Sequence, residues 1–227
     1  KLCLESIYKA DKGGMTIKTI VVDNASSDGS KELIQEKFGW VKLVKSQVNL
    51  GYSGGNNLGI KESHGKYVLF LNSDVEIEKE ALRQLKKFLD SDNKIGAVTP
   101  KVMLYSGGMD PDCHRGFPTP WASITYFLGF ETLFPKNKIF GQYHKFYFDL
   151  NKVHEIDAGF GTFLFVRRKV LEEVGGWDEN YFFYGEDLDL FYRIKKKGWK
   201  VIFYPEVLAY HHKGASSGLR KESRKVT

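Results

Sequence analysis

Asp74 closes the stretch Phe70-Leu71-Asn72-Ser73-Asp74, directly after an apolar run at 67–71 that reads as a central strand covered on both faces. A carboxylate stripped of its partner in such a place costs roughly 3–5 kcal/mol. A divalent cation bridging Asp74 to a diphosphate would remove that cost and neutralise a leaving group. A surface aspartate in a turn is the plainer alternative. A second acidic pair, Glu186-Asp187, follows four aromatics, Tyr181-Phe182-Phe183-Tyr184, and a glycine. Acids in a first helical turn suit the helix macrodipole. The aromatics add a second reading, a partly desolvated carboxylate beside a stacking wall that also keeps water out. Neighbours on a helix point in different directions, so Glu186 and Asp187 need different partners. Arg193 lies four residues after Asp189, which predicts that those two pair and leave Asp187 free.

Two polar loops and a histidine segment complete the candidates. Asp23-Asn24 ends a β-branched run, and with Asp28 beyond it could accept hydrogen bonds from a base or ribose. Helix capping by Asp28 or Ser30 explains the later residues equally well, but does not require Asp23-Asn24. Residues 49–59, NLGYSGGNNLG, read as a glycine-rich loop whose amides approach an anion or nucleotide closely, or as a plain turn. The stretch is neither a Walker loop nor a dinucleotide fingerprint. His211 follows a strand-like segment with His212 beside it, and imidazole is a common metal ligand. Glu76 and Glu78 read as helix-start acids.

These groups need a sheet to hold them. Over residues 17–100 strand-like and helix-like patterns alternate, which predicts an α/β fold with ligands at the C-terminal strand ends. Residues 104–150 lose that rhythm and are rich in glycine, proline and aromatics. Order returns at 162–166, then a helix over about 186–197 and a strand over 201–204. One domain is expected over 1–227, with 1–103 as the nucleotide half and 104–227 as the acceptor and catalytic half.

The 227 residues carry a net charge of +6, with 42% hydrophobic, 27% charged and 15% aromatic residues, the profile of a globular chain. From Lys213 onward, Lys213, Arg220, Lys221, Arg224 and Lys225 stand against the single acid Glu222. Such a tail suits a peripheral contact with a membrane, or a solvated end. Nothing resembles an RNA motif or a zinc finger, so nucleic acid is not an expected partner. Cys3 and Cys113 form no metal-ligand or disulfide framework, which points to a reducing, cytoplasmic setting.

Five segments together resemble the family 2 glycosyltransferases, in particular their rhamnosyltransferase-like branch: VVDNASSDGS (21–30), NLGYSGGNNLG (49–59), FLNSD (70–74), GGWDENYFFYGEDLDLFYR (175–193) and HHKGASS (211–217). The resemblance implies a GT-A fold: a mixed, mostly parallel central sheet flanked by helices. The family's first strand, which precedes the helix at residues 2–9 and lines the nucleotide site, is missing here, so the chain is expected to be a fragment at both ends. The resemblance also implies an inverting transfer from a nucleotide-diphosphate sugar, with a leaning toward dTDP-rhamnose, to a glycan or lipid-linked acceptor. It places Asp23, Asn24 and Asp28 at the nucleotide, and Gly51, Asn56, Asn72 and Ser73 along the donor. Asp74 and His211 would hold Mg2+ or Mn2+, with His212 as the alternative ligand. Asp187 would be the general base and Glu186 its neighbour at the acceptor. Asn72 stands where the family's metal triad has an acid, which argues against direct ligation by Asn72. A sugar-phosphate nucleotidyltransferase and a non-catalytic nucleotide- or glycan-binding module are the competing functions. The first lacks the early glycine-rich loop with a basic residue that it needs.

Overall fold

The computed structural model describes residues 1–213; the basic tail and the end of the segment at 211–217 lie outside the described residues. Helix α1 (Leu2–Lys9) leads into β1 (Ile20–Asn24), α2 (Ser30–Lys37), β2 (Lys42–Ser46) and α3 (Gly51–Glu62). Then come β3 (Tyr67–Leu71), β4 (Val75–Ile77), α4 (Ala81–Ser91) and β5 (Ile95–Leu104). The irregular region carries α5 (Pro120–Phe127), α6 (Phe130–Leu133) and β6 (His154–Glu155). The chain closes through β7 (Phe163–Arg167), α7 (Arg168–Val174), α8 (Glu186–Lys196) and β8 (Lys200–His211).

The strands form two sheets. β1 and β2 pair in parallel, and the larger sheet runs β3-β7-β5-β8-β4, with β6 added on β8. The α/β class and the flanking helices are as expected. The predominance of parallel pairing is not: in the larger sheet only β5 and β8 run parallel, and β7 lies antiparallel between β3 and β5. The chain leaves β5 at Leu104 and, after the excursion to Thr162, re-enters the sheet at that same end, so β7 runs back antiparallel to β5. Hydrophobic patterning marks an apolar run at 162–166, close to the observed β7, but carries no direction. Among the described residues β1 has β2 as its only ladder partner, and β3 has only β7.

The core lies where the patterns put it. Phe163, Leu164 and Val166 of β7 and Val201 and Phe203 of β8 are buried at or near zero exposure. Leu82, Leu85 and Leu89 form the inner stripe of α4, and Leu190, Phe191 and Ile194 that of α8. No helix among the described residues is long and apolar enough to cross a membrane. The glycine-rich stretch at 51–59 is not a loop; it is most of α3. Its glycines leave a flat helix surface, and a Cβ on Gly59 would come within 3.3 Å of Val22 on β1. Close helix–strand packing repays the poor helix propensity of glycine. Glu76 lies in β4 rather than at a helix start, because β4 pairs with the far end of β8.

Candidate active site

Two acidic centres sit at one end of the larger sheet. The C-terminal end of β3 adjoins the start of β7 (Leu71 opposite Phe163), and the C-terminal end of β8 adjoins that of β5 (His211 opposite Leu104). At the first centre, Asp74 is buried, and its Oδ1 stands 3.6 Å from His211 Nε2. The other ring nitrogen of His211, Nδ1, lies 3.0 Å from Oδ2 of Asp110, a fully buried aspartate. Burial alone would lower the His211 pKa, but its contacts with Asp110 and Asp74 outweigh that and raise it to about 9. Lys213 Nζ approaches the other Asp110 oxygen at 3.4 Å. His212 is drawn elsewhere: its ring stacks on Tyr105, its Nε2 meets Glu76 at 2.5 Å, and only its backbone amide reaches Asp74, at the carbonyl. Of the two histidines, His211 is therefore the one facing the Asp74 carboxylate.

The arrangement suits a divalent cation in one specific respect. Ligands at about 2.0–2.2 Å from one ion stand roughly 3–3.5 Å apart, so a small adjustment brings Asp74 Oδ1 and His211 Nε2 onto a common ion. Asp110 would then orient the imidazole from behind, as carboxylates do for metal-bound histidines. Among the described residues no group of three or more acidic, histidine or cysteine side chains forms a full metal cage. The fit is to a cation that takes its remaining ligands from substrate oxygens and water. Asn72 does not point its polar atoms there: Nδ2 donates to Thr162 Oγ1 at 3.3 Å, and Oδ1 lies 3.2 Å from the Tyr52 hydroxyl. Ser73 is exposed beside them.

The second centre is the N-terminus of α8. Tyr184 (φ 69°) and Gly185 (φ 90°) both take the left-handed conformation and swing the chain into the helix. Asp187 is not free. Arg193 does pair with Asp189, at 2.5 Å, but Asp187 Oδ2 accepts from Arg115 at 2.5 Å, and both of those side chains are 7% exposed. Arg115 also donates to the Gly159 carbonyl, and Asp187 Oδ1 accepts from the Leu188 amide at 2.7 Å. Arg115 comes from the patternless segment 72 residues away, beyond the reach of spacing arguments. Its only sequence signal is a charge beside a buried histidine among apolar and small residues. Glu186 is also buried, and its Oε2 meets no hydrogen-bond donor among the described residues. Burial raises its carboxyl pKa, the Asp187 charge adds to that, and the helix amide and Arg115 oppose it. Tyr181, Phe182, Phe183 and Tyr184 are exposed, so in this conformation they do not cover the acids.

The two centres converge. The Phe160 ring lies 5.7 Å from the Arg115 guanidinium and 6.2 Å from the His211 ring. Burial raises the pKa of Tyr52, and the charges of Asp187, Glu186 and Asp74 push it further, so one hydroxyl feels acids of both centres. The expected nucleotide residues are brought less close together. Asp23 is buried at the end of β1 and accepts from the Ser26 amide at 3.4 Å across the left-handed Ala25. Asn24 is spent on the chain itself, accepting from the Leu50 amide at 2.8 Å and donating to the Gly51 carbonyl at 2.9 Å. Asp28 accepts from the Ser30 amide at 3.0 Å, and those bonds with Ser30 hold its carboxyl below the usual range, as turn formation predicts. Gly51 abuts the aromatic segment, since a Cβ there would fall 2.5 Å from the Phe182 carbonyl oxygen. Asn56 donates to the Tyr52 carbonyl within its own helix, while its neighbour Asn57 binds both the Trp177 amide and carbonyl.

Removing one partner of a buried ion pair leaves a charge with nothing to balance it. Arg115→Ala is expected to cost about 3–5 kcal/mol in urea denaturation. Replacing Arg115 and Asp187 together should cost less than the two single changes summed. The Glu186 carboxyl, raised in the fold, favours folding most below the ordinary carboxyl pKa, and that contribution is lost as pH rises through its folded value. Glu186→Gln should therefore be more stable than the parent near pH 7. Thermal melts should show this advantage shrinking as pH falls toward about 4.

Comparison with known proteins identifies the family and the fold. The family model described as Glycosyl transferase family 2 matches residues 1–175. The N-acetylglucosaminyl-diphospho-decaprenol L-rhamnosyltransferase of Mycobacterium tuberculosis is 27% identical over 215 residues, covering 89% of this chain and 68% of the relative. Rhamnosyltransferase WbbL of Escherichia coli is 27% identical over 204 residues, covering 86% of this chain and 72% of WbbL. Among solved structures, GalNAc-T7 with UDP, GalNAc and Mn2+ superimposes with a TM-score of 0.66 at 16% identity, over 92% of this chain but 40% of that one. Staphylococcus aureus TarS 1-349 with UDP gives 0.59 at 18%, over 92% of this chain and 55% of that one. The chain thus belongs to glycosyl transferase family 2, and its fold is GT-A.

Proposed function

We propose that this chain binds a nucleotide-diphosphate sugar and transfers the sugar, with inversion, to a hydroxyl of a glycan or lipid-linked acceptor. The observation that carries the reading is the convergence of Asp74–His211 and Glu186–Asp187 on one end of the sheet, around Phe160 and Tyr52. Separated, these acids would be an ordinary turn and an ordinary helix start. Together they supply what a single displacement needs, a place for the diphosphate and a proton acceptor. The mycobacterial relative is named for rhamnose transfer to a diphospho-decaprenol carrier, which favours a deoxysugar donor such as dTDP-rhamnose and a lipid-linked acceptor.

Asp74 and His211 are the residues that would hold Mg2+ or Mn2+, a choice favoured by the Mn2+ in the GalNAc-T7 structure. When bound, such a cation supplies charge neutralisation for the departing nucleoside diphosphate. Asp187 takes the proton of the acceptor hydroxyl as its oxygen bonds to the anomeric carbon and the bond from that carbon to the diphosphate breaks. Each Asp187 oxygen already accepts one hydrogen bond, but a carboxylate offers about four lone-pair sites, so about two remain and one of them can serve the substrate. Arg115 fixes the direction in which that site opens. Glu186 stands next to it, on the acceptor side.

Two variants separate the roles. Asp187→Asn should leave nucleoside-diphosphate binding nearly intact while kcat falls by roughly 10²–10⁴-fold; unchanged turnover would remove Asp187 from the base role. Asp74→Ala should abolish the metal-dependent part of nucleoside-diphosphate binding in titration calorimetry. Equal binding by the parent with and without Mn2+ or Mg2+ would refute the metal assignment. A screen of nucleotide-sugars, followed by nucleoside-diphosphate release, identifies the donor.

A further inference from the structure

Helices α5 and α6 carry an apolar surface that the described residues leave uncovered. On α5, Trp121, Ile124 and Phe127 recur at three-residue intervals and share a face, with Phe127 82% exposed. Beyond the turn at Leu128-Gly129, Leu133 of α6 is 69% exposed. Ring contacts tie the two helices together: Phe140 lies against Trp121 of α5, Phe130 at the start of α6 and Phe134 just after it. Trp121 is held in place by its indole N–H, which donates to the Ile139 carbonyl at 2.8 Å. Single exposed apolar side chains are ordinary on a protein surface, but a joined patch of this kind marks a place of contact.

The charges around the patch indicate what it contacts. α5 has no charged residue. The one acid of α6, Glu131, is turned inward, buried and bound to the backbone and ring of His144. The charges left on the outside are Lys136 and Lys138, both exposed, in the loop that follows α6. A face of tryptophan, phenylalanine and leucine rimmed by lysine matches the interfacial zone of a bilayer. The apolar side chains enter the acyl boundary, the indole sits at headgroup level, and the lysine stems extend along the apolar surface to reach phosphates. A second copy of the chain would offer the same lysine rim and no acid to meet it.

We infer that the α5–α6 face seats this chain on the surface of a membrane containing anionic lipid. The inference goes beyond the proposed transfer reaction and stands whichever sugar, metal or base that reaction uses. The patch begins at Trp121, six residues after Arg115, so at most about 22 Å of chain separates it from the Arg115–Asp187 pair.

Co-sedimentation of the protein with phosphatidylcholine vesicles, with and without phosphatidylglycerol, tests this. The protein should bind the anionic vesicles. The double variant Phe127→Ser/Leu133→Ser should lose at least about tenfold in affinity, as expected when two large apolar side chains no longer enter the acyl boundary. Lys136→Gln/Lys138→Gln should lose roughly fivefold per lysine on anionic vesicles alone. Because all four side chains are exposed, circular dichroism and melting temperature should not change, so lost binding is not lost folding. Three results overturn the inference: no binding by the parent, equal binding by the patch variants (which assigns attachment to the basic tail), or a dimer in sedimentation equilibrium that the Phe127/Leu133 variant dissolves. Failure of the donor screen with intact vesicle binding would count against the proposed reaction and leave this surface standing.

Discussion

The Arg115–Asp187 contact joins the two parts of the chain that sequence patterning treats most differently. Arg115 belongs to the irregular excursion between β5 and β7, and Asp187 to the first turn of a well-formed helix. Both charges are out of water, and bringing either one there alone is expensive. The guanidinium and the carboxylate are therefore buried as a pair where the excursion meets the helix. Its second bond, to the Gly159 carbonyl, sets the backbone just before β7 at the same time. Gly159 itself packs against Thr99 of β5, where a Cβ would fall 2.6 Å from the threonine methyl. One arginine thus ties the helix carrying the acids to the middle of the sheet.

From Gly159 the chain leads to the other centre in two residues. Phe160 lies near both the Arg115 guanidinium and the His211 ring, and Gly161 accepts the Tyr52 hydroxyl at 2.8 Å. Thr162 receives Asn72 through both its side chain and its carbonyl. The segment 159–162 is therefore a short backbone frame between the Arg115–Asp187 pair on one side and the Asp74–His211 pair on the other. His211 is positively charged while it stands between Asp74 and Asp110, and its pKa of about 9 reflects two carboxylates sharing one imidazolium.

The sequence shows clearly what depends on local periodicity. The strands at 67–71 and 163–167, the inner stripes of α4 and α8, and the Arg193–Asp189 pair at four-residue spacing all follow from neighbours in the chain. What it hides is set by contacts between distant segments. The direction of β7 depends on where a 50-residue-scale excursion returns, and the partner of Asp187 comes from within that excursion. Asp110, which holds His211, lies 101 residues away in a glycine-proline turn that reads as loop punctuation. The glycines at 51–59 show the converse. Read locally they make a flexible loop, because glycine is a poor helix former. The neighbouring strand and the aromatic segment make a slim helix the better solution.

That helix also settles how the smaller sheet is held. No ladder links β1–β2 to the larger sheet among the described residues, so side chains and close approaches do the work. Asn24 clasps the Leu50 amide and the Gly51 carbonyl, fixing the end of β1 to the start of α3. Asn57, one turn further on, binds both backbone groups of Trp177. Trp177 in turn meets Tyr52 and Phe70 edge to face at about 5 Å, which joins α3 to β3. α3 is therefore the strut between the half that carries Asp23 and the half that carries both acidic centres. Its first turn places the Tyr52 hydroxyl on the Gly161 carbonyl and the Tyr52 amide on the Phe182 carbonyl. Any rotation of α3 that shifts the end of β1 therefore moves Tyr52 and the aromatic segment with it, because all three are tied to the same helical turn.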